Sequence, residues 1–531
     1  MHTGLPVACS AGSRPQSPPP RRLYGVAGVL ALALTAGCAA YDNQGAAAGL
    51  DRARDVFAVG YDGMSDYYID PVDLRRLTVH GLAALKSIDG SLSVTEDKGH
   101  LTVATGTKVL KNFPLPANGD AYRWARFTTE VVTEGRVHST LLREASAEAI
   151  YKAVFEAEFA DLDPFSRYAS AEAARQQRAS REGFGGIGIT IAMTEAGVSI
   201  SSVLPETPAA RAGLKDGDLI VAADGRPLAG LSSTDVLERL RGRIDSPITL
   251  AIQRGGSRLD VPLTRARIIP ATVTVKHEGS TAHIRVTGFN QRTSQQVTEA
   301  VETALTTYGP GLKGMILDLR GNPGGLLDQA VHVSDLFLSD GQILTTEGRH
   351  PRARQSYKAT AGDITGGLPL IVLMNGGSAS AAEIVAAALQ DNRRALVVGS
   401  TSYGKGSVQT VLRLPNDGEM TITWARMFGP AGYPLNRIGV VPSVCTSQYS
   451  GDAAAAVLDD LRRGAAELGA AFSQRAQFVS QGEAAGAEAA RRICPARSGA
   501  GDIELKVARQ ILEDSSLFAM ASRSSQVALT P

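Results

Sequence analysis

Residues 376–409 constrain this chain more than any other stretch. They read Gly376-Gly377-Ser378-Ala379-Ser380-Ala381-Ala382-Glu383, then an apolar run from Ile384 to Leu389 and a β-like piece from Ala395 to Gly399. A glycine-flanked lysine follows in Tyr403-Gly404-Lys405-Gly406-Ser407-Val408-Gln409. Two glycines ahead of small hydroxyl residues and alanines predict a tight turn opening onto a helix. Glu383, in the first turn, complements the positive end of the helix dipole. A serine on such a turn is exposed. The amides beside it lack intrahelical acceptors and can hold a developing negative charge. A hydroxyl becomes a competent nucleophile only when a base takes its proton, and a desolvated lysine is one such base. Small neighbours would let Lys405 approach a partner closely. Spacing alone is met as well by ordinary cap serines and a surface lysine in a turn.

The pieces Gly377 to Ile384, Gln390-Asp391, Arg394-Ala395 and Tyr403 to Gln409 together resemble the catalytic core of the carboxyl-terminal processing (tail-specific) proteases. These are Ser/Lys peptidases that carry a PDZ domain. The resemblance implies Ser380 as nucleophile, the middle serine of the family's Ser-Ala-Ser-Ala-Ser-Glu signature, and Lys405 as base. It also implies that Gln409 orients the lysine. The third signature serine is Ala382 here, and the family's phenylalanine before Gly-Lys-Gly is Tyr403. Neither change touches the implied nucleophile or base.

A 531-residue chain predicts several domains. Its net charge of +1 gives no electrostatic case for nucleic acid or anionic lipid as a main partner. Residues 1–38 read as a signal peptide. Arg21-Arg22 precede an apolar run from Leu23 to Leu34, too short to span a membrane, and Thr35-Ala36-Gly37-Cys38 follows. That ending resembles a bacterial lipobox, which implies lipidation at Cys38, a periplasmic location, and membrane attachment only through the lipid. Cys9 would leave with the signal. Cys445 and Cys494 remain, to pair in an oxidising compartment or to stay as buried thiols. No Cys-x-x-Cys or histidine-rich cluster is present, and the reading calls for neither metal nor cofactor.

Residues 46–181 read as a mostly helical scaffold or dimerisation region. Helical pattern runs from Ala46 to about Ile88, strand-like alternation from Thr102 to Val132 around Trp124, and a strong helix from Leu141 to Leu162. Leu162-Asp163-Pro164-Phe165-Ser166-Arg167-Tyr168 resembles the piece that precedes the PDZ domain in this protease family. Residues 182–268 look like that PDZ domain. Gly185, Gly186, Ile187 and Gly188 form a glycine-rich loop that would point amides at a peptide's terminal carboxylate, and the next strand edge would accept the peptide. Pro208 to Leu214, Gly217 to Ile220 and Asp224-Gly225 match the elements that follow, and Thr234 to Leu240 gives the second helix.

Residues 269–448 read as the peptidase domain. Lys313 to Arg320 is a buried-strand run ending in Gly321-Asn322-Pro323-Gly324-Gly325, with a helix from Leu326 to Phe337. No Gly-Lys-Ser/Thr follows, which argues against a phosphate loop. The resemblance implies that Gly324 or Gly325 supplies one oxyanion donor and Ala381 the other. Asp318 and Arg320 read as a structural ion pair. Leu368 to Met374 is the next strand, and Thr421 to Phe428 and Asn436 to Val444 look like the last ones. His332 and His350 are the histidines that a serine–histidine site would need, but their surroundings read as helix and loop. Residues 449–531 are alanine-rich helices: Ala453 to Leu461, Gly464 to Phe472, Glu483 to Arg492, and Ile503 to Leu512 with a polar tail.

The fold class expected is multidomain α/β: a helical N-terminal region, a PDZ domain, a crotonase- or ClpP-like ββα superhelix, and a helical extension. The expected activity is that of an exported serine endopeptidase cutting proteins near free C-termini, its PDZ domain recruiting the substrate and gating the site. A homo-oligomer or a regulatory adaptor would be further partners. A non-catalytic PDZ scaffold on a silent peptidase fold is the alternative.

Overall fold

The computed structural model describes residues 51–526 apart from 118–119, 196, 361, 452, 464–487, 489–490 and 500–501. The chain divides into residues 1–53 and a unit from Arg54 to Pro531, and every element below lies in the second. The signal and lipobox reading, and the helices expected over Gly464 to Phe472 and through most of Glu483 to Arg492, fall outside the described residues.

Residues 54–67 are helical, and Asp73 caps the helix Leu74–Ala83 by accepting from the amides of Arg75 and Arg76. The alternation seen from Thr102 to Val132 is only partly strand. Leu92–Asp97, His100–Thr105 and Lys108–Pro114 form a three-stranded antiparallel sheet. From Ala121 to His138 the chain is a helix capped by Asp120. Its buried residues Trp124, Phe127, Thr128, Val131, Val132 and Gly135 recur at three- and four-residue steps, a helical period that the local alternation disguises. The single helix expected from Leu141 to Leu162 is two, Thr140–Glu144 and Ala147–Ala160. Ser146 starts the second by accepting from the Ala149 amide.

The PDZ sheet runs Ser257–Thr264, Pro247–Arg254, Leu219–Ala223, Gly197–Val203, Ile189–Thr194, antiparallel throughout, so Ile189–Thr194 is an edge. Val236 and Leu240 of the helix Ser233–Leu240 join its core with Ile187, Ile200, Ile220 and Leu250. Entry and exit are paired: Phe184–Gly186 lies antiparallel to Ala266–Ile268.

In the peptidase domain Thr281–Val286, Gly314–Asp318, Leu370–Met374, Leu396–Gly399 and Val444–Cys445 form parallel neighbours, with Val273–Glu278 antiparallel at one edge. These strands are apolar on both faces because both are covered. Leu317, Val372, Met374 and Val397 meet the helices Thr293–Tyr308, Leu327–Asp335 and Ala381–Asp391. Ile316, Ile371, Leu373, Leu396 and Val398 meet the C-terminal helices Ala454–Arg462, Ile503–Glu513 and Ser515–Gln526. The polar tail after Leu512 is thus another helix, contributing buried Leu517 and Ala521. A second, antiparallel sheet orders Gln355–Lys358, Gln342–Glu347, Glu419–Phe428 and Ser407–Arg413, with Arg167–Ala169 added beside Glu419 to Thr421. Between Asn436 and Val444 the expected strand is a loop except for Val444–Cys445. Arg437 and Gly439 have positive φ there, and the amides of Arg437 and Val440 bond to the lysine turn instead of a sheet.

Asp318 sits at the end of its strand, fully buried. It accepts from Arg320 Nε (2.9 Å) and Nη2 (2.7 Å), from Arg285 Nη1 (3.2 Å), and bonds His283 Nε2 (3.0 Å). Arg320 also reaches Glu504 at 3.2 Å, tying the extension to the sheet. Burial alone would raise the Asp318 carboxyl, but Arg320 and His283 outweigh it and hold the group well below the carboxylate range. The stabilisation is therefore present at neutral pH and is lost only in strong acid. Asp318→Asn removes the buried carboxylate that Arg320, Arg285 and His283 share. The expected loss is about 3–5 kcal/mol of unfolding free energy, read from urea denaturation; an unchanged midpoint would refute the role.

Candidate active site

The strand Leu370–Met374 delivers the chain to a turn whose two serines have different fates. Ser378 is fully buried, its Oγ donating to the Leu319 carbonyl at 2.8 Å and accepting from the Asn375 amide at 3.0 Å. Those bonds make it a structural residue. Ser380 stands at the head of Ala381–Asp391 with φ 55° and ψ −115°, a region that residues other than glycine rarely enter. Such strain costs about 1–3 kcal/mol and persists only where neighbours impose it.

The neighbour that imposes it is Glu383. Its Oε2 accepts the amides of Ser380 (2.7 Å) and Lys405 (3.0 Å), and its Oε1 accepts the Gly404 amide (2.6 Å) and the Ser402 hydroxyl (2.5 Å). One carboxylate therefore holds the serine turn and the lysine turn to each other. Burial pushes the Glu383 carboxyl up, against the four donors that favour its ionised form. The serine–lysine juxtaposition is reinforced where the Tyr403 amide donates to the Ser378 carbonyl at 3.0 Å. The lysine turn also requires Gly406, because a Cβ there would lie 1.8 Å from the Asn436 nitrogen.

Lys405 is half-buried and forms no ion pair among the described residues. Its Nζ lies 5.0 Å from the centre of the Phe165 ring. Desolvation, then the like charge of Arg167, lowers its pKa from the usual lysine range; Glu383 and Asp163 pull the other way. Phe165 is held by its own segment. Asp163 accepts the amides of Phe165 (2.7 Å) and Ser166 (3.0 Å) in a tight turn and the Thr423 hydroxyl at 3.0 Å, pinning the turn to the strand Glu419–Phe428. The Leu162 to Tyr168 piece, read as scaffold from sequence, thus lines the site; its Asp-Pro turn was the available signal.

Gln409 does something other than what the resemblance implied. Its amide nitrogen donates to Ser407 Oγ at 2.9 Å and Thr423 Oγ1 at 3.3 Å, and no bond joins it to Lys405 among the described residues. A bulge between Val408 and Gln409 shifts the register of that strand.

The glycine loop reaches the serine directly. A Cβ on Gly324 would come within 2.8 Å of Ser380 Cβ and 3.0 Å of the Ala381 nitrogen, so only glycine fits. The Gly324 amide itself is spent on Asn322 Oδ1 at 2.8 Å. Phe289 takes the Gly324 carbonyl and the Leu326 amide in a parallel bridge, which turns the Gly325 N–H the other way. Of the two glycines, Gly325 is the better donor to pair with Ala381, a first-turn amide that its helix cannot satisfy. Asn375 ties loop to turn, accepting the amides of Gly321 and Gly377. His332 is exposed, and His350 lies between Tyr67 and Trp424; neither bonds Ser380 among the described residues.

In the PDZ domain the carbonyls of Ile187 and Gly188 accept the amides of Ala209 and Leu204, both at 2.9 Å. This turns the carbonyl side of the loop into the domain body, while Gly185 and Gly186 belong to the strand paired with Ala266–Ile268. Cys445 and Cys494 are joined by a disulfide.

Fold and site together define a serine-type peptidase carrying a PDZ module. A sequence model of peptidase family S41 matches residues 280–445, and one of the PDZ domain matches residues 185–264. A carboxy-terminal-processing protease of Bartonella bacilliformis is 41% identical over 291 residues, covering 54% of this chain and 67% of that protein. A CtpA-like serine protease of Staphylococcus aureus is 31% identical over 315 residues, covering 58% of this chain and 62% of the relative. Among solved structures, a photosystem II D1 C-terminal processing protease matches at 29% identity with a TM-score of 0.34, covering 58% of this chain and 86% of that one. The chain belongs to the carboxy-terminal-processing proteases of peptidase family S41.

A lysine acting as base must be neutral, so Lys405 as the proposed base entails activity that rises with pH along a limb below the ordinary lysine value of about 10.4. Arg167→Gln removes a cation that disfavours the protonated amine. The limb should then move alkaline by a few tenths of a pH unit, since Arg167 is exposed and screened. A pH profile of kcat/KM checks this, and an acid shift would contradict it.

Proposed function

We propose that this chain is an exported endopeptidase that cuts proteins near their C-termini with Ser380 as nucleophile and Lys405 as base. The observation that carries the proposal is the Glu383 carboxylate gripping the backbone of both residues. In the proposed cycle Lys405 takes the Ser380 proton as Oγ attacks the scissile carbonyl. The amides of Ala381 and Gly325 receive the oxyanion, and Lys405 returns the proton to the leaving amine. Water, deprotonated by the same amine, then hydrolyses the acyl-enzyme.

The PDZ domain is proposed to hold the substrate's free C-terminus, its carboxylate on the Gly186 to Gly188 loop and its last residues added to the edge strand Ile189–Thr194. What supports this is the open edge of that strand and the family of the domain. Gating of the site by the same domain belongs to the proposal. So does periplasmic residence with a lipid on Cys38, supported by the basic–apolar–small–Cys pattern of residues 21–38 and by a disulfide suited to an oxidising compartment. Among the described residues no helix is long and apolar enough to cross a membrane.

Ser380→Ala in the full chain is expected to lower cleavage of a peptide with a free C-terminus by about a thousandfold or more, while binding of that peptide is retained. Mass spectrometry of the products reads the new C-termini. Equal turnover by Ser380→Ala and the parent would end the reading.

A further inference from the structure

Beyond the stretch matched by the peptidase family, the chain returns to the site. Residues 491–498 touch both loops that carry its chemistry. On the lysine side, Arg491 Nη2 donates to the Tyr403 carbonyl at 2.8 Å and Nε to the Arg437 carbonyl at 3.3 Å. The backbones of those two residues cross at Gly404, whose carbonyl accepts the Arg437 amide at 2.8 Å. One guanidinium thus clasps the crossing that sets the position of Lys405. Just upstream, the Thr401 hydroxyl donates to the Cys494 carbonyl at 2.5 Å and the Arg497 amide donates to Ser400 Oγ at 3.1 Å. On the serine side, the Gly376 amide donates to the Arg497 carbonyl at 2.8 Å, at the start of the turn that presents Ser380.

The segment is also fastened covalently. Cys494, fully buried, is bonded to Cys445, which ends the last strand of the parallel sheet. Arg497 Nη1 adds a bond to the Tyr449 carbonyl at 2.9 Å. Arg491, Ala496 and Ser498 form part of the wall of a cleft of about 580 Å³ that Phe165 and Tyr403 also line. A short stretch held by polar contacts near the surface orders a loop only as far as it is itself ordered, and a cross-link restricts the freedom it would otherwise regain.

We propose that residues 491–498, fastened by Cys445–Cys494, are a positioning strap for both catalytic loops. Arg491 holds the turn that delivers Lys405, and full activity requires the closed disulfide. The proposal rests on the Ser380/Lys405 reading. Opening the bond takes two electrons and two protons. Dithiothreitol supplies both, becoming its cyclic disulfide while Cys445 and Cys494 become thiols.

The test compares full-length oxidised parent, dithiothreitol-reduced parent, the double variant Cys445→Ser/Cys494→Ser, Arg491→Ala and Arg491→Lys. Amide hydrogen exchange over 376–382 and 400–406 is read beside kcat and KM on a peptide with a free C-terminus. Opening the disulfide should speed exchange in both windows about tenfold or more, and Arg491→Ala should do so in 400–406, with Leu370–Met374 and the PDZ sheet unchanged. In the same forms kcat should fall about tenfold or more at unchanged KM, reoxidation should restore it, and Arg491→Lys should recover part of it. Exchange unchanged in reduced parent and Arg491→Ala overturns the strap, as does faster exchange with parental kcat. If the double variant does not fold, those two forms decide. An inactive parent would instead sink the Ser/Lys reading, and the exchange data would still decide the strap.

Discussion

A single buried carboxylate holds the serine turn and the lysine turn of this molecule to each other. Glu383 accepts four hydrogen bonds, from the amides of Ser380, Gly404 and Lys405 and the hydroxyl of Ser402. A charge taken out of water is tolerable only when its lone pairs are met in this way. The return is geometric: the serine keeps its uncommon backbone angles, and the lysine backbone cannot drift from it. Both turns are loops, and neither would hold position through its own sequence alone.

The remaining parts of the site come from far along the chain and converge on that carboxylate. Asn322 and Asn375 knit the glycine loop to the serine turn, and the Asp163 turn brings Phe165 over the Lys405 amine. Desolvation there, then the like charge of Arg167, disfavours a charged ammonium against the pull of Glu383 and Asp163. The N-terminal region therefore lines the cleft at the lysine turn as well as forming scaffold. The antiparallel sheet carries the connection, since Arg167–Ala169 pairs with the strand that also receives the Asp163 turn.

Much of this was legible because it is local. The Ser380 to Glu383 spacing encodes a helix start, doubly apolar strands encode a sheet covered on both faces, and the glycine loop sits directly after one of them. The Asp318–Arg320 pair was readable for the same reason, two residues apart at a strand end. What was missed is encoded between segments. The helix Ala121–His138 looked strand-like because its buried positions overlap an alternating pattern. Asn436 to Ser443 has the pattern of a strand but directs the amides of Arg437 and Val440 to the lysine turn. The family context of the lysine points Gln409 at Lys405, yet beside a strand bulge its amide bonds Ser407 and Thr423. No local pattern announces that Arg491 meets Tyr403.

The rear of the parallel sheet has a consequence for how the protein is made. Ile316, Ile371, Leu373 and Val398 are sealed by Val507, Ile511, Leu512 and Leu517, which lie more than fifty residues beyond the strand Val444–Cys445. A nascent chain that has already emerged through the strand Val444–Cys445 still carries an uncovered apolar wall. This core can close only once residues 503–521 have joined it, and until then the wall is open to non-native association.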